Sequence, residues 1–451
     1  MQYFKPEGNY HVGDCMPLCH NGTFRLYYLQ DEGHHSALGG LGGHQWAQAS
    51  STDLVHWTHY PLAIPITDEF EGSICTGSVF FHAGVYYGFY ATRRRDWTQH
   101  LSLATSQDGV HFEKNRPNPL ASPPAGYSPF HYRDPAVFRD DQTGLFHLLV
   151  TAYLEPYPVP DRGGCLAHLV SADLKDWELR DPFIIPGLPS APECPDHFLW
   201  DGWYYLLFSS DGVTHYRMSR QALGPWTRPR VDTFDGPAAR VMKTAAFHSN
   251  RRLGAAWLGT RQGNKDAGQL QFGGNAVFRE LVQHADGSLG TCFPAEMTPS
   301  TEDVFSGLSF TPLTAGVDLH ARQVNLEAQQ GLAAAAWVGL AEHAYLSLRV
   351  SPQPGAACFG LRLKAGETFD SGYDLSFLPY ESAVRLNDQS TGAVEGLDQP
   401  FTLEIVLHDD IIDVCIDHRR TIIDRCPERH GDRLLFYALN AGVSFTFLTP
   451  G

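Results

Sequence analysis

Basic residues are scarce in this chain: 33 Lys and Arg stand against 50 Asp and Glu, giving a net charge of −17. Such a surface repels phosphate backbones and anionic lipid, so nucleic acid and membrane are excluded as partners. Long apolar runs are missing too, and none approaches the roughly 18 residues of a membrane span. The opening residues MQYFKPEGNYHVGD hold no basic segment followed by an apolar run, so no secretory leader is expected. The nine cysteines are an odd number scattered through the chain. Reduced thiols in a cytoplasm follow from these two observations, and a small neutral substrate fits the charge.

Several chemistries have no sequence support. There is no G-x-S-x-G elbow, which argues against Ser-His-Asp catalysis. The segment GGLGGH (Gly39 to His44) is not G-x-G-x-x-G, and no Lys-Ser or Lys-Thr follows it; it reads as a mobile loop. Cys15, Cys19 and His20 lie close together, but C-x3-C without a second pair is a poor zinc motif. His34, His35 and His44 show no zincin spacing and read as surface or ligand-contacting residues. No metal and no cofactor are expected. Arg93 to Arg95 read as a solvated turn with ion pairs to Asp96 or neighbours, or else as a contact for an acidic substituent. Asp409, Asp410 and Asp413 read as turn residues and a solvated strand face.

Strand periodicity dominates, and no long segment shows the i, i+3, i+4 pattern of a helix face. A turn-plus-strand unit recurs: NGTFRLYYL, AGVYYGFYA, TGLFHLLVTA, DGWYYLLFSS and RRLGAAWLG. The glycines of these units, Gly22, Gly84, Gly144, Gly202 and Gly254, are 62, 60, 58 and 52 residues apart. The first four units are followed by polar segments ending at Trp57, Phe112, Trp177 and Trp226. Five units of this length, each with about four short strands, suit the blades of a propeller. The repeat fades near residue 295, a Thr/Pro/Ser/Gly-rich stretch follows, and alternating strands resume. The chain is therefore expected to be all-β, a five-bladed β-propeller over 1–298 followed by a linker and C-terminal β-sandwich over 299–451. The second domain is read as structural, covering a propeller flank and offering a surface for a homo-oligomer.

Three acids precede the hairpin glycines at nearly one offset. Asp14 lies eight residues before Gly22, Asp134 ten before Gly144, and Glu193 nine before Gly202. The same offset falls on Cys75 and Thr76 in the second unit and near Lys243 and Thr244 in the fifth. Equivalent strands of a propeller face one axis, so three carboxylates distant in sequence are expected to converge. Glycoside hydrolysis needs such a cluster: one carboxyl protonated as acid, a second ionised as nucleophile or base. Crowded carboxyls separate their pKa values and allow that division.

The flanking residues carry a resemblance. YRDPAVF (Tyr132 to Phe138) resembles the Arg-Asp-Pro motif of glycoside hydrolase family 32, the β-fructofuranosidases, and APECPDHF (Ala191 to Phe198) resembles that family's Glu-Cys-Pro motif. QWAQASSTDLVHW (Gln45 to Trp57), GSICTGSVF (Gly72 to Phe80) and the FREL and ADGSL segments within Phe278 to Leu289 are similar to other segments of the same family. The resemblance implies a retaining exo-acting hydrolase of a small furanoside-type oligosaccharide, with Asp14 as nucleophile and Glu193 as general acid/base. Asp134 would stabilise the transition state through sugar hydroxyls, with Arg133 beside it. Trp46 would be an apolar wall, and Thr76 and His35 substrate contacts. Retention implies a carboxyl separation of roughly 5–5.5 Å between Asp14 and Glu193.

The nucleophile segment departs from the family's Trp-Met-Asn-Asp-Pro-Asn-Gly. In HVGDCMPL, Gly13 stands for the Asn, Cys15 and Met16 stand for Pro-Asn, and Leu29 aligns with a family Gln. Two polar contacts to the sugar are thus missing. Two other readings fit the same acids: an inverting arabinofuranosidase or xylosidase of family 43 type, and a non-catalytic sugar-binding propeller.

Overall fold

The computed structural model describes residues 3–297, 309–367, 371–428 and 430–448. It is all-β, and among the described residues no helix is long and apolar enough to cross a membrane. The expected division at residues 298 and 299 lies outside the described residues.

Five antiparallel units make up the first part. Their first strands are His11–His20, Ser73–His82, Tyr127–Arg139, Glu193–Trp200 and Arg240–Ala246. Each of these packs on the next, and the fifth packs on the first, so together they form a closed ring. The ring is joined by main chain as well. Strand Leu270–Gln283 of the fifth unit pairs with the first unit at Val12 and Gly274, and the Ala276 N–H donates to the Phe4 carbonyl at 2.8 Å.

Local sequence explains the unit. Asn21–Gly22, Ala83–Gly84 and Asp201–Gly202 each have two successive positive φ values, the conformation of a type I′ hairpin turn. Each second strand is then nearly continuous in apolar residues; Phe146–Leu154 is buried over its first seven positions. It lies between neighbouring blades and loses water on both faces, so alternation is replaced by an unbroken run. The polar segments that follow form one turn repeated three times. Asp53, Asp108 and Asp173 each accept two main-chain N–H groups two and three residues ahead, and each is held by a Ser two residues back.

The second part is a sandwich whose sheets share two long strands. The first half of Arg433–Phe447 pairs with Cys358–Ala365 and its second half with Ala344–Pro352. Gln323–Val338 follows it along its whole length, with a bulge between Ala328 and Leu332. One apolar core fills the space between the sheets, with Phe359, Phe401, Phe436 and Phe445 among its rings.

Buried arginines fasten the two parts together. Arg279, on the fifth blade, has a side chain only 1% exposed. It donates to Asp235 at 2.8 Å and through both terminal nitrogens to Asp413 of the sandwich at 2.7 and 2.8 Å. The Tyr3 hydroxyl also donates to Asp413. Asp413 is fully buried, which corrects its assignment to a solvated face. Burial pushes the Asp235 carboxyl up to about 6, against the pull of Arg279. Removing the cation would leave two acids without their common partner. Arg279→Met is therefore expected to cost about 3–5 kcal/mol, the usual range for a broken buried ion pair. The check is the thermal unfolding midpoint; an unchanged midpoint would show the cluster to be neutral to stability.

Candidate active site

All five innermost strands carry a bulge at the same place. Two residues stand opposite one on the hairpin partner: Gly13 and Asp14, Cys75 and Thr76, Asp134 and Pro135, Cys194 and Pro195, Val241 and Met242. A bulge bends the strand and re-aims its side chains. The first bulge residue adopts positive φ in the last three blades: 54° at Asp134, 52° at Cys194 and 55° at Val241. That region is costly for residues other than glycine, and for the β-branched Val241 above all.

The three acids use this frame at three different steps. Asp14 is the second bulge residue of its blade, Asp134 the first of its blade, and Glu193 the residue just before its bulge. The equivalent strands are as expected from the repeat, whereas the positions within them are staggered.

Asp14 is held by three donors. The Thr76 hydroxyl donates to Oδ2 at 2.5 Å, the Trp257 indole N–H donates to Oδ1 at 2.9 Å, and the Cys194 thiol lies 3.7 Å from Oδ2. Burial raises the Asp14 pKa, Asp134 adds to the rise, and the bonds from Thr76 and Trp257 oppose it. Asp134 is buried and accepts the Cys194 N–H at 3.2 Å. Arg133 lies between the other two acids: its Nε is 3.5 Å from Asp134, and its Nη2 donates to Glu193 at 2.8 Å. Glu193 keeps 34% of its side chain exposed. Its pKa is raised by burial; Arg133 lowers it, and Asp134 raises it again.

Asp14 and Glu193 line one cavity of about 350 Å³ together with Trp257, Phe272, Arg240 and Gln271. Glu193 also borders a second cavity, with Arg93, Trp97, Phe130 and His35. Below the acids the axis is crossed by Lys243, a buried ammonium that donates to the carbonyls of Gly77 and Pro195 at 2.9 and 3.0 Å. It ties the second, fourth and fifth blades together.

The sequence-derived site residues divide in two. Asp14, Asp134, Glu193 and Arg133 are brought together, and His35 lines the second cavity. Thr76 is present, but its hydroxyl is already given to Asp14, so it holds the carboxylate rather than a ligand. Trp46 is corrected: it is fully buried, donates to the Cys75 carbonyl at 2.9 Å and packs on Tyr27 and Tyr90, behind the cavity. The apolar wall is formed by Trp257 and Phe272, which the sequence reading did not single out. Trp257 stood in the fifth repeat unit, but periodicity does not tell which buried aromatic meets the axis.

Phe272 also explains Gly13. A Cβ at Gly13 would lie 2.8 Å from the Phe272 ring, so that ring fills the space a longer side chain would need. His44, expected near the surface or a ligand, is buried; it stacks on Phe272 and meets Asp31 at 3.0 Å. Asp31 also accepts the His34 and His35 N–H groups, both at 2.8 Å, and so fixes the loop that carries them. Among the described residues the expected ion pairs at Asp96 are not formed; Asp96 accepts from Thr98 instead.

Known proteins resemble this chain over both parts. The family model described as the glycosyl hydrolases family 32 N-terminal domain matches residues 4–289. A levanbiose-producing levanase of Geobacillus stearothermophilus is 28% identical over 247 residues, 51% of this chain and 56% of the relative. A raffinose invertase of Escherichia coli is 30% identical over 204 residues, 43% of this chain and 40% of the relative. The chain thus spans about half the length of the curated relatives it matches. The fold is that of fructan 1-exohydrolase IIa from Cichorium intybus, solved with 1-kestose: the TM-score is 0.72 at 16% identity, covering 98% of this chain and 96% of that one. An exo-inulinase from Aspergillus awamori gives a TM-score of 0.68 at 16% identity, covering both chains in full.

Proposed function

The chain belongs to glycosyl hydrolase family 32, and from that premise we propose that it is a retaining exo-acting hydrolase of β-fructofuranosidase type. The observation that carries the reading is the pairing of Asp14 and Glu193 in one cavity with different partners. Asp14 receives bonds from neutral donors, which oppose the rise that burial gives its pKa and so favour its ionised form. Glu193 has a raised pKa and borders both cavities, so it suits a proton donor between the transferred sugar and the leaving group.

Double displacement then runs as follows. The Asp14 carboxylate attacks the anomeric carbon while Glu193 gives its proton to the departing oxygen. Glu193, now ionised, takes a proton from water, which attacks the glycosyl ester and frees the sugar and Asp14. Asp134, buried and fixed by Arg133 and the Cys194 N–H, is assigned the ring hydroxyls, whose bonds tighten in the transition state. The nine unpaired thiols support a reducing, cytoplasmic setting and hence small imported substrates.

The apolar wall shapes the substrate range. Phe272 over Gly13 and the buried Leu29 leave two positions apolar where the resemblance implied polar contacts. Such a site holds the donor sugar through fewer hydroxyls, and sucrose is not expected to be its fastest substrate.

The test is product analysis of wild type and Glu193→Gln on sucrose, inulin and levan oligosaccharides, arabinofuranosides and xylosides. Fructose released by wild type and not by the variant is the expected result. Release of arabinose or xylose instead would replace this reading with the inverting one, and binding without turnover on every substrate would replace it with a sugar-binding propeller.

A further inference from the structure

We propose that the second cavity is the leaving-group site and that it selects a ring with one face able to stack on an aromatic and a single carboxylate; this rests on the hydrolase reading above. The cavity is of about 400 Å³ and meets the first one at Glu193, the proposed proton donor. A leaving oxygen protonated by Glu193 must therefore belong to a group that extends toward Arg93, Trp97 and Phe130.

Two aromatic side chains supply flat surface. Trp97 is 46% exposed and Phe130 52% exposed, although both are large and apolar. They belong to different blades, in the turn after Val85–Arg93 and in the strand Tyr127–Arg139. Trp97 is further held at φ 70°, a conformation costly for a bulky residue. Strain and exposure together at one cavity rim fit a stacking platform for a ring face.

The charge of the cavity is one uncompensated cation. Arg93 lies 3.2 Å from His35 Nε2 and donates to the Leu41 carbonyl at 3.2 Å, and among the described residues no carboxylate pairs with it. Arg133 is neutralised by Asp134 while Glu193 holds the proton its role as acid requires. His35 and His131 have lowered pKa values, in both cases first through burial, and add no charge at neutral pH. One guanidinium that already stands against a ring matches a monoanion, and its planar fork matches a carboxylate. Neither Arg94 nor Arg95 lines the cavity, so a phosphate dianion would lack its second cation.

The ring can come from an aromatic acid or from a uronic acid, and binding of the released group tests both without turnover. The full-length protein is titrated calorimetrically with 4-hydroxybenzoate, 4-hydroxybenzamide, glucuronate, glucose and glucose 6-phosphate. The expected result is that at least one acid binds roughly tenfold or more tightly than its neutral counterpart, as a charge-assisted hydrogen bond allows. Arg93→Gln should erase that preference, Arg93→Lys should restore part of it, and Trp97→Ala should weaken acid and neutral ligand alike. The stronger of the two acids identifies the ring. Equal binding of acid and neutral partner, a preference that survives Arg93→Gln, tighter binding of glucose 6-phosphate than of either carboxylate, or no binding at all would each overturn the proposal. None of these outcomes depends on release of a sugar, so this proposal and the hydrolase reading fail separately.

Discussion

Asp14→Asn is expected to lower kcat by on the order of 10⁴-fold or more, the scale of losing a covalent nucleophile. The amide has no lone pair able to form the glycosyl ester, yet it fits the site. Its oxygen can accept from the Trp257 indole as Asp14 Oδ1 does, and the Thr76 hydroxyl can turn from donor to acceptor toward the new NH₂. The substitution also removes a desolvated charge. Burial raises the Asp14 pKa in the folded protein, so its ionised form costs stability at neutral pH. The variant should therefore unfold at a midpoint equal to or above that of wild type while being almost inactive. Steady-state rates on a substrate from the product panel, read beside a thermal scan, check both halves. Activity within tenfold of wild type would remove Asp14 from the reaction.

Glu193→Gln should reduce kcat/KM by roughly 10²–10⁴-fold, the range of general acid catalysis. The loss should be smaller on aryl glycosides whose leaving oxygen departs without a proton. The pH profile offers a second readout. An acid with a raised pKa is competent below that pKa, and its contribution is lost as pH rises through it. The wild-type alkaline limb should therefore lie at higher pH than an unperturbed glutamate would set, and the variant should lose that limb. The acid limb has the opposite origin: activity falls as pH drops through the raised pKa of Asp14. It should persist in the variant. An alkaline limb unchanged in Glu193→Gln would assign the proton to another group.

How much of this was legible in the sequence depended on whether the signal was local. Hairpin glycines mark turns that need positive φ, and the apolar runs after them mark strands buried on both faces, so the blades could be counted. The acids could be found because each lies at a near-constant distance from its own glycine. Their stagger could not be read there: the offsets of eight, ten and nine do not rank Asp14, Asp134 and Glu193 as the bulges do, because the distance from bulge to glycine differs from blade to blade. Trp46 was misplaced because a tryptophan between blades and one beside the axis have the same neighbours in sequence. Asp413 was misplaced for a related reason. It alternates with Ile412 and Val414, which face the sandwich core, so its own face should be solvated. The propeller covers that face and presents Arg279 to it. Alternation reports which side of a sheet a residue is on, and it is silent about what lies beyond.

The ring of matching bulges amounts to a coordinate system: blade number sets direction around the centre, and place within the bulge sets height. One residue along a strand is about 3.3 Å. The carboxyl spacings of retaining and inverting glycosidases, roughly 5–5.5 and 6.5–9.5 Å, differ by about 1–4.5 Å, an interval of the same order. An acid exchanged between the two residues of one bulge would thus move its carboxyl by an interval of that order while the other four blades stayed as they are. Stereochemical outcome in such a barrel of blades is a matter of indexing, open to change one notch at a time.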